Sequence, residues 1–95
     1  MTPTQATFEL KAMVTRGARI SWDIPHALER ARERDIPLFE AERVIRNGHV
    51  VRVDAQHLPP RWRVAGYDSD GRPIHVVVAP HPNALRVVTV ISTDE

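Results

Sequence analysis

His26, Arg30 and Arg34 stand four residues apart in the run His26 to Gly48, HALERARERDIPLFEAERVIRNG. Residues at that spacing are neighbours on one face of a helix, so an imidazole and two guanidinium groups would form a small anion-binding comb. His26 falls in the first turn, where free backbone N–H groups disfavour an added positive charge. A neutral imidazole there would accept a proton from a ribose hydroxyl. Arg30 and Arg34 would hold the neighbouring phosphate, because a guanidinium binds its oxygens two at a time. The same residues admit a plainer reading. His26 would bond a backbone group at the core edge, while Glu29 pairs with Arg32 and Glu33 with Arg30 on a solvated face.

Arg61 and Arg63 flank Trp62 in an alternating run, so both point away from the side that Trp62 and Val64 occupy. Two cations on one sheet face, with Arg32 nearby on the helix, would add to a phosphate site. Alternatively they protect an edge strand from pairing with another chain. Trp22 and Trp62 read as core rather than as stacking platforms, since the chain has few other aromatic residues. His49, His57, His75 and His81 show no ligand spacing, so no metal and no cofactor is expected. The 4 glycines are isolated, which excludes a phosphate-binding glycine loop, and no nucleophile elbow is present.

The elements that would position these groups read as helices first and strands afterwards. Thr2 caps a helix with Pro3 at its first position and Gln5 completing a capping box. Ala6, Leu10, Met13 and Val14 form its apolar stripe, and Arg16-Gly17 ends it. Ala18 to Trp22 is a short extended piece. Asp23 caps a second helix, with Pro25 in its first turn and Ile24, Ala27, Leu28 and Ala31 buried. Pro37 opens a third, with Leu38, Ala41, Val44 and Ile45 inward and Asn47-Gly48 as its stop. After Gly48 the period becomes that of strands: His49 to Asp54, Arg61 to Asp68, Pro73 to Ala79 and Leu85 to Ser92. The turn Ser69-Asp70-Gly71 and the segment Pro80 to Asn83 separate the last three. The last two strands are apolar at nearly every position, as expected for strands covered on both faces.

A chain of 95 residues is expected to form one domain. Its parts would be an N-terminal helix over 1–17, a short strand plus two-helix motif over 18–48 and an antiparallel sheet over 49–95. There is no cysteine, and the net charge is +1, which argues against bulk binding of nucleic acid but permits a local basic patch. Of 13 basic residues only Lys11 is a lysine. Arginine is the better fork for phosphate, although a GC-rich genome produces the same bias. With no leader and no apolar run near the ~20 residues a bilayer requires, the expected location is the cytoplasm and no membrane partner is expected.

The pattern His26-Ala27-x-x-Arg30, Glu33-Arg34-x-Ile36, a short acidic helix, Asn47-Gly48 and a valine strand resembles an uncharacterised bacterial small-domain family grouped with the BrnT-type and RelE-type toxins. The stretch Arg61-x-Arg63-Val64-x-Gly66-Tyr67-x-Ser69-Asp70-Gly71-Arg72-Pro73, then His75-Val76-Val77-Val78, resembles it too, and the likeness spans about residues 20–92. It implies a RelE-like, microbial ribonuclease-like α+β fold with three N-terminal helices on a twisted antiparallel sheet of about four strands. It also implies a toxin of a toxin–antitoxin pair, acting as a metal-independent RNA endonuclease. By motif position His26, Arg30, Arg34 and Arg61 would be catalytic. Arg63 and Arg32 are the candidate substrate-binding residues beside them. One departure stands out. Ile91-Ser92 is followed by Thr93-Asp94-Glu95, where BrnT-like chains carry a basic residue.

Two functions are therefore expected to compete. One is the RNA endonuclease, with RNA as substrate and an antitoxin protein as partner. The other is a non-catalytic interaction module that buries the apolar second face of its last strands in a homodimer. A small anionic ligand held by the same arginines is a third.

Overall fold

Local signals fix the ends of the first helix. In the computed structural model, which describes residues 1–23 and 25–93, α1 spans Pro3–Thr15. The Thr2 hydroxyl accepts from the Gln5 backbone N–H at 3.1 Å, and the Gln5 side chain accepts from the Thr2 N–H at 2.7 Å. Both halves of the expected capping box are thus in place. At the other end Gly17 adopts φ +81°, Ala18 N–H bonds Met13 carbonyl and Gly17 N–H bonds Val14 carbonyl. That is a Schellman turn, and the left-handed residue is glycine because a Cβ is disfavoured there.

The strand β1, Arg19–Trp22, follows, then α2, His26–Glu33, and α3, Leu38–Asn47. Asp35 makes a second Schellman turn between the two helices. Its φ is +54°, its N–H bonds Arg32 carbonyl, and Ile36 N–H bonds Ala31 carbonyl at 2.8 Å. Ile36 is thereby driven into the core. Pro25 rather than Asp23 caps α2, without a side-chain hydrogen bond; Asp23 contributes its backbone carbonyl to the Ala27 N–H. The expectations for Ile24, Asp94 and Glu95 fall outside the described residues.

The strands β2 (His49–Asp54), β3 (Arg61–Tyr67), β4 (Pro73–His81) and β5 (Ala84–Ser92) complete the chain. The sheet has five strands in the order β1-β5-β4-β3-β2. The expected four-stranded antiparallel sheet is corrected on two counts. The expected short strand after α1 joins the sheet as a fifth strand, and it pairs parallel with β5, so the sheet is mixed. Four residues carry too little pattern to announce their partner, and β1 joins the sheet because β5 offers it a hydrogen-bonding edge. The turn after β4 is also tighter than expected, because β4 runs through Pro80 to His81. Proline is tolerated there because the pairing of β3 with β4 begins at Trp62 and Val78, so no neighbour requires the missing donor.

All three helices cover one face of the sheet. Leu10 of α1, Ala27 and Ala31 of α2, and Ala41, Val44 and Ile45 of α3 share one core with Trp62, Val64, Val76, Val78, Val87 and Val90. Trp22 packs against the same core, so both tryptophans are structural, as expected. Leu38, expected inward, is exposed. Glu40 is buried instead, where its Oε2 accepts from the Ser69 N–H at 2.6 Å and the Ser69 hydroxyl at 3.0 Å. Among the described residues no helix is long and apolar enough to cross a membrane.

Candidate functional site

Strand alternation sends every second side chain of this sheet to the face that no helix covers. Trp62 and Val64 of β3 lie in the core, so Arg61, Arg63, Ala65 and Tyr67 lie on the open face. Cross-strand pairing extends that assignment. Arg52 is the partner of Arg63, His49 of Ala65, His75 of Ala65 from the other side, and Arg86 of Ala79. On β1, Ser21 is level with Arg86 and Arg19 with Ala84, which adds Arg19 to the same face. Asp54 is the one acid in any of the five strands. A chain of net charge +1 therefore concentrates Arg19, Arg52, Arg61, Arg63 and Arg86 on one surface.

One cleft lies on this face and another at its edge, where α3 ends. One, of about 270 Å³, is lined by Arg52, Asp54, Arg61, Arg63, Val77, Val88 and Thr89. The other, of about 380 Å³, lies where β2 begins, and its polar walls are Arg43, Asn47, His49, Tyr67, Asp68 and His75. A single hydrogen bond joins them: Arg63 Nε donates to His75 Nδ1 at 2.6 Å. The two rows of residues concerned, Arg52–Arg63–Val77 and His49–Ala65–His75, lie about 7 Å apart along the strands.

The electrostatics of this junction are uneven. Arg52 pairs with Arg63 across the ladder, beside the bulge between Val50 and Arg52, and like charges so placed destabilise a bare sheet. Among the described residues neither makes an ion pair with a carboxylate. His75 is held below the ordinary histidine range, first by partial burial and then by the charges of Arg63 and His49. Its imidazole is therefore neutral at pH 7. Because Nδ1 accepts from Arg63, the ring hydrogen sits on Nε2, which can donate to an anion.

The structure separates the residues singled out from sequence. Arg61 and Arg63 stand together on the open face as expected. His26, Arg30, Arg32 and Arg34 belong to α2 or its C-terminal cap, and α2 packs on the opposite face against β5. The expected single concavity of His26 with Arg61 is thus corrected: the sheet stands between them. Arg30 is paired with Glu33 at 2.8 Å, and Arg34 lies 3.9 Å from the same carboxylate. His26 and Arg32 are exposed. Sequence reasoning passed over Arg52, His49 and His75. The signal was available in the short turn at 69–71, which sets the β3–β4 register and places His75 beside Ala65. Among the described residues no group of three or more His, Asp or Glu is placed to share a metal ion.

The model of the domain of unknown function DUF4258 matches residues 25–92. The chain belongs to the DUF4258 family. The match runs from the start of α2 to the end of β5, so the DUF4258 unit includes both clefts, while α1 and β1 lie outside it. Comparison with curated proteins gave no match. Comparison with solved structures gave none either.

Proposed function

We propose that this DUF4258 domain binds RNA on the open face of its sheet and cuts it without a metal ion, as a toxin-type endoribonuclease. The observation that carries the reading is the cross-strand pair Arg52 and Arg63, which among the described residues makes no ion pair, although Asp54 lines the same cleft, and which adjoins two imidazoles. Like charges opposed on a strand ladder cost stability, and a bound phosphate between them reverses the sign of that interaction. The kinship with BrnT-type and RelE-type toxins suggested by the sequence motifs agrees with this chemistry. The catalytic assignment moves from His26, Arg30 and Arg34 to the sheet, retaining Arg61 and drawing in Arg63, expected as a substrate-binding residue.

In this mechanism Arg52, Arg61 and Arg63 hold the phosphate, and the Nε2–H of His75 donates to one of its oxygens. The ribose 2′-hydroxyl attacks the adjacent phosphorus while His49 takes its proton. The bond to the 5′ oxygen breaks, and that oxygen leaves with a proton from the His49 imidazolium or from water. The products are a 2′,3′-cyclic phosphate and a 5′-hydroxyl. Charge developing on the phosphorane oxygens is met by guanidinium groups already in position.

The test is incubation of the full chain with an end-labelled single-stranded RNA in excess chelator at low salt. Cyclic-phosphate ends are expected, with a fall of about 10²–10⁴ in rate for His49→Ala and loss of binding for Arg63→Ala. Binding without any cutting would remove the enzyme and leave an RNA-binding module. Neither binding nor cutting would reject the reading. The rival homodimer draws on Val77, Val88 and Ile91, half-buried on the same face, and light scattering that shows a stable dimer would favour it.

A further inference from the structure

The cleft at the start of β2 contains more than the two histidines, and its remaining walls match a nucleobase. Resting on the reading of the open face as an RNA site, we propose that this cleft is a guanine-binding subsite for the nucleoside whose 2′-hydroxyl attacks. Its key residues are Arg43, Asn47 and Tyr67.

The cleft exists because β3 outruns β2. Pairing of β2 with β3 starts at His49 and Ala65, whereas β3 continues against β4 to Tyr67 and Pro73. Beyond Ala65, β3 has a free edge. Asp68 N–H bonds Arg72 carbonyl, so by antiparallel alternation Tyr67 presents its own N–H and carbonyl outward, to that edge. The last turn of α3 approaches closely there. A Cβ at Gly66 would meet Val44 Cγ1 at 3.1 Å, and one at Gly48 would press on the Ala65 and Val44 carbonyl oxygens. The two glycines let helix and strand approach, which brings Arg43 and Asn47 to the rim beside His49 and His75.

The polar groups there have a definite sense. The Asn47 Nδ2 donates to Arg43 carbonyl at 3.1 Å, which leaves its Oδ1 as an acceptor. Arg43 is exposed and, among the described residues, makes no ion pair. The cleft thus offers a charged fork of donors in Arg43 and neutral acceptors in Asn47 Oδ1 and the Tyr67 carbonyl, while the Asp68 carboxylate in its wall already accepts from the Asp70 and Arg72 backbone N–H groups and from Arg72 Nε. Guanine presents the complement: O6 and N7 accept from an arginine, while its N1–H and N2 amino group donate. Adenine would turn its amino group toward the guanidinium. The Tyr67 ring, 67% exposed, forms the wall on which a base stacks. At about 380 Å³ the cleft has room for a purine.

Calorimetric titration of the full chain with 3′-GMP, 3′-AMP, 3′-CMP, 3′-UMP and inorganic phosphate tests this. The expected result is 3′-GMP binding about tenfold or more tighter than the other nucleotides. Arg43→Ala should reduce that preference to less than about threefold, and Tyr67→Ala should weaken every nucleotide more than phosphate. Equal affinity for the four nucleotides and phosphate would overturn the base subsite and leave the phosphate site standing. A preference for 3′-AMP would overturn the choice of guanine. Absence of binding by phosphate and all nucleotides would overturn the RNA reading itself, and this proposal with it.

Discussion

Arg63 on β3 donates its Nε–H to Nδ1 of His75 on β4 at 2.6 Å, across the uncovered face of the sheet. The two residues are not a direct ladder pair, since Arg63 opposes Val77 and His75 opposes Ala65. The bond runs diagonally, along the direction that joins the arginine cleft to the histidine cleft. It fixes the imidazole tautomer, with the ring hydrogen on Nε2.

That bond predicts a pH dependence of stability. The folded state holds His75 below the ordinary value near 6.5 through burial, Arg63 and His49. The unfolded chain therefore binds the proton more readily, and stability rises with pH. The contribution is fully present above pH 6.5, is lost as pH falls through it, and levels off below the lowered folded-state value. Urea unfolding between pH 5 and 8 should show this slope, and His75→Gln should flatten it. An unchanged slope in the variant would remove His75 as its cause.

Opposed arginines predict a trade of stability for binding. Arg52→Thr removes a like charge facing Arg63 and inserts a residue that favours strands. Stability should rise by a few tenths to about 1 kcal/mol, while affinity for single-stranded RNA falls. Thermal melts and fluorescence anisotropy on the same preparations read both changes. If Arg52, Arg61 and Arg63 share the one scissile phosphate, log affinity should fall with log salt at a slope of about −0.7.

Glu40 predicts a structural cost unrelated to RNA. Its carboxylate accepts from both the backbone and the hydroxyl of Ser69, tying α3 to the β3–β4 turn. Glu40→Ala leaves those donors without a partner and should cost about 1–3 kcal/mol. Glu40→Gln should recover part of the loss, and RNA affinity measured on the folded fraction should stay the same. Chemical denaturation separates the three proteins.

Gly48 predicts a steric effect without any backbone strain. Its φ is −85°, ordinary for any residue, yet a Cβ there would press on the Ala65 and Val44 carbonyl oxygens. Gly48→Ala should destabilise by about 1–3 kcal/mol and push α3 away from β3. Gly17→Ala, at φ +81° with open space around it, should cost about 1 kcal/mol through conformation alone. Circular dichroism melts should rank them in that order.

Much of the architecture is legible in local chemistry. Thr2 with Gln5, Gly17, Asn47-Gly48 and the turn at 69–71 mark element ends because capping and turn geometry involve residues only a few positions apart. The alternation of Trp62 and Val64 with Arg61 and Arg63 assigns faces within β3 for the same reason. The parallel pairing of β1 with β5 was hidden because a four-residue strand carries no pattern that names its partner. Glu40 was hidden because its partner Ser69 is 29 positions away.

The sequence by itself determined which side chains share a face of their own element: His26, Arg30 and Arg34 on one helix, Arg61 and Arg63 on one strand. Helical and strand periods are local, so no further information was needed. Only the tertiary structure decided which faces meet. The three helices bury one side of the sheet, which carries α2 away from Arg61, and the strand registers gather Arg52, His49 and His75 around Arg63. Those registers depend on cross-strand pairs and on a helix seated against Gly48 and Gly66, contacts between distant residues whose energies exist only once the chain has folded.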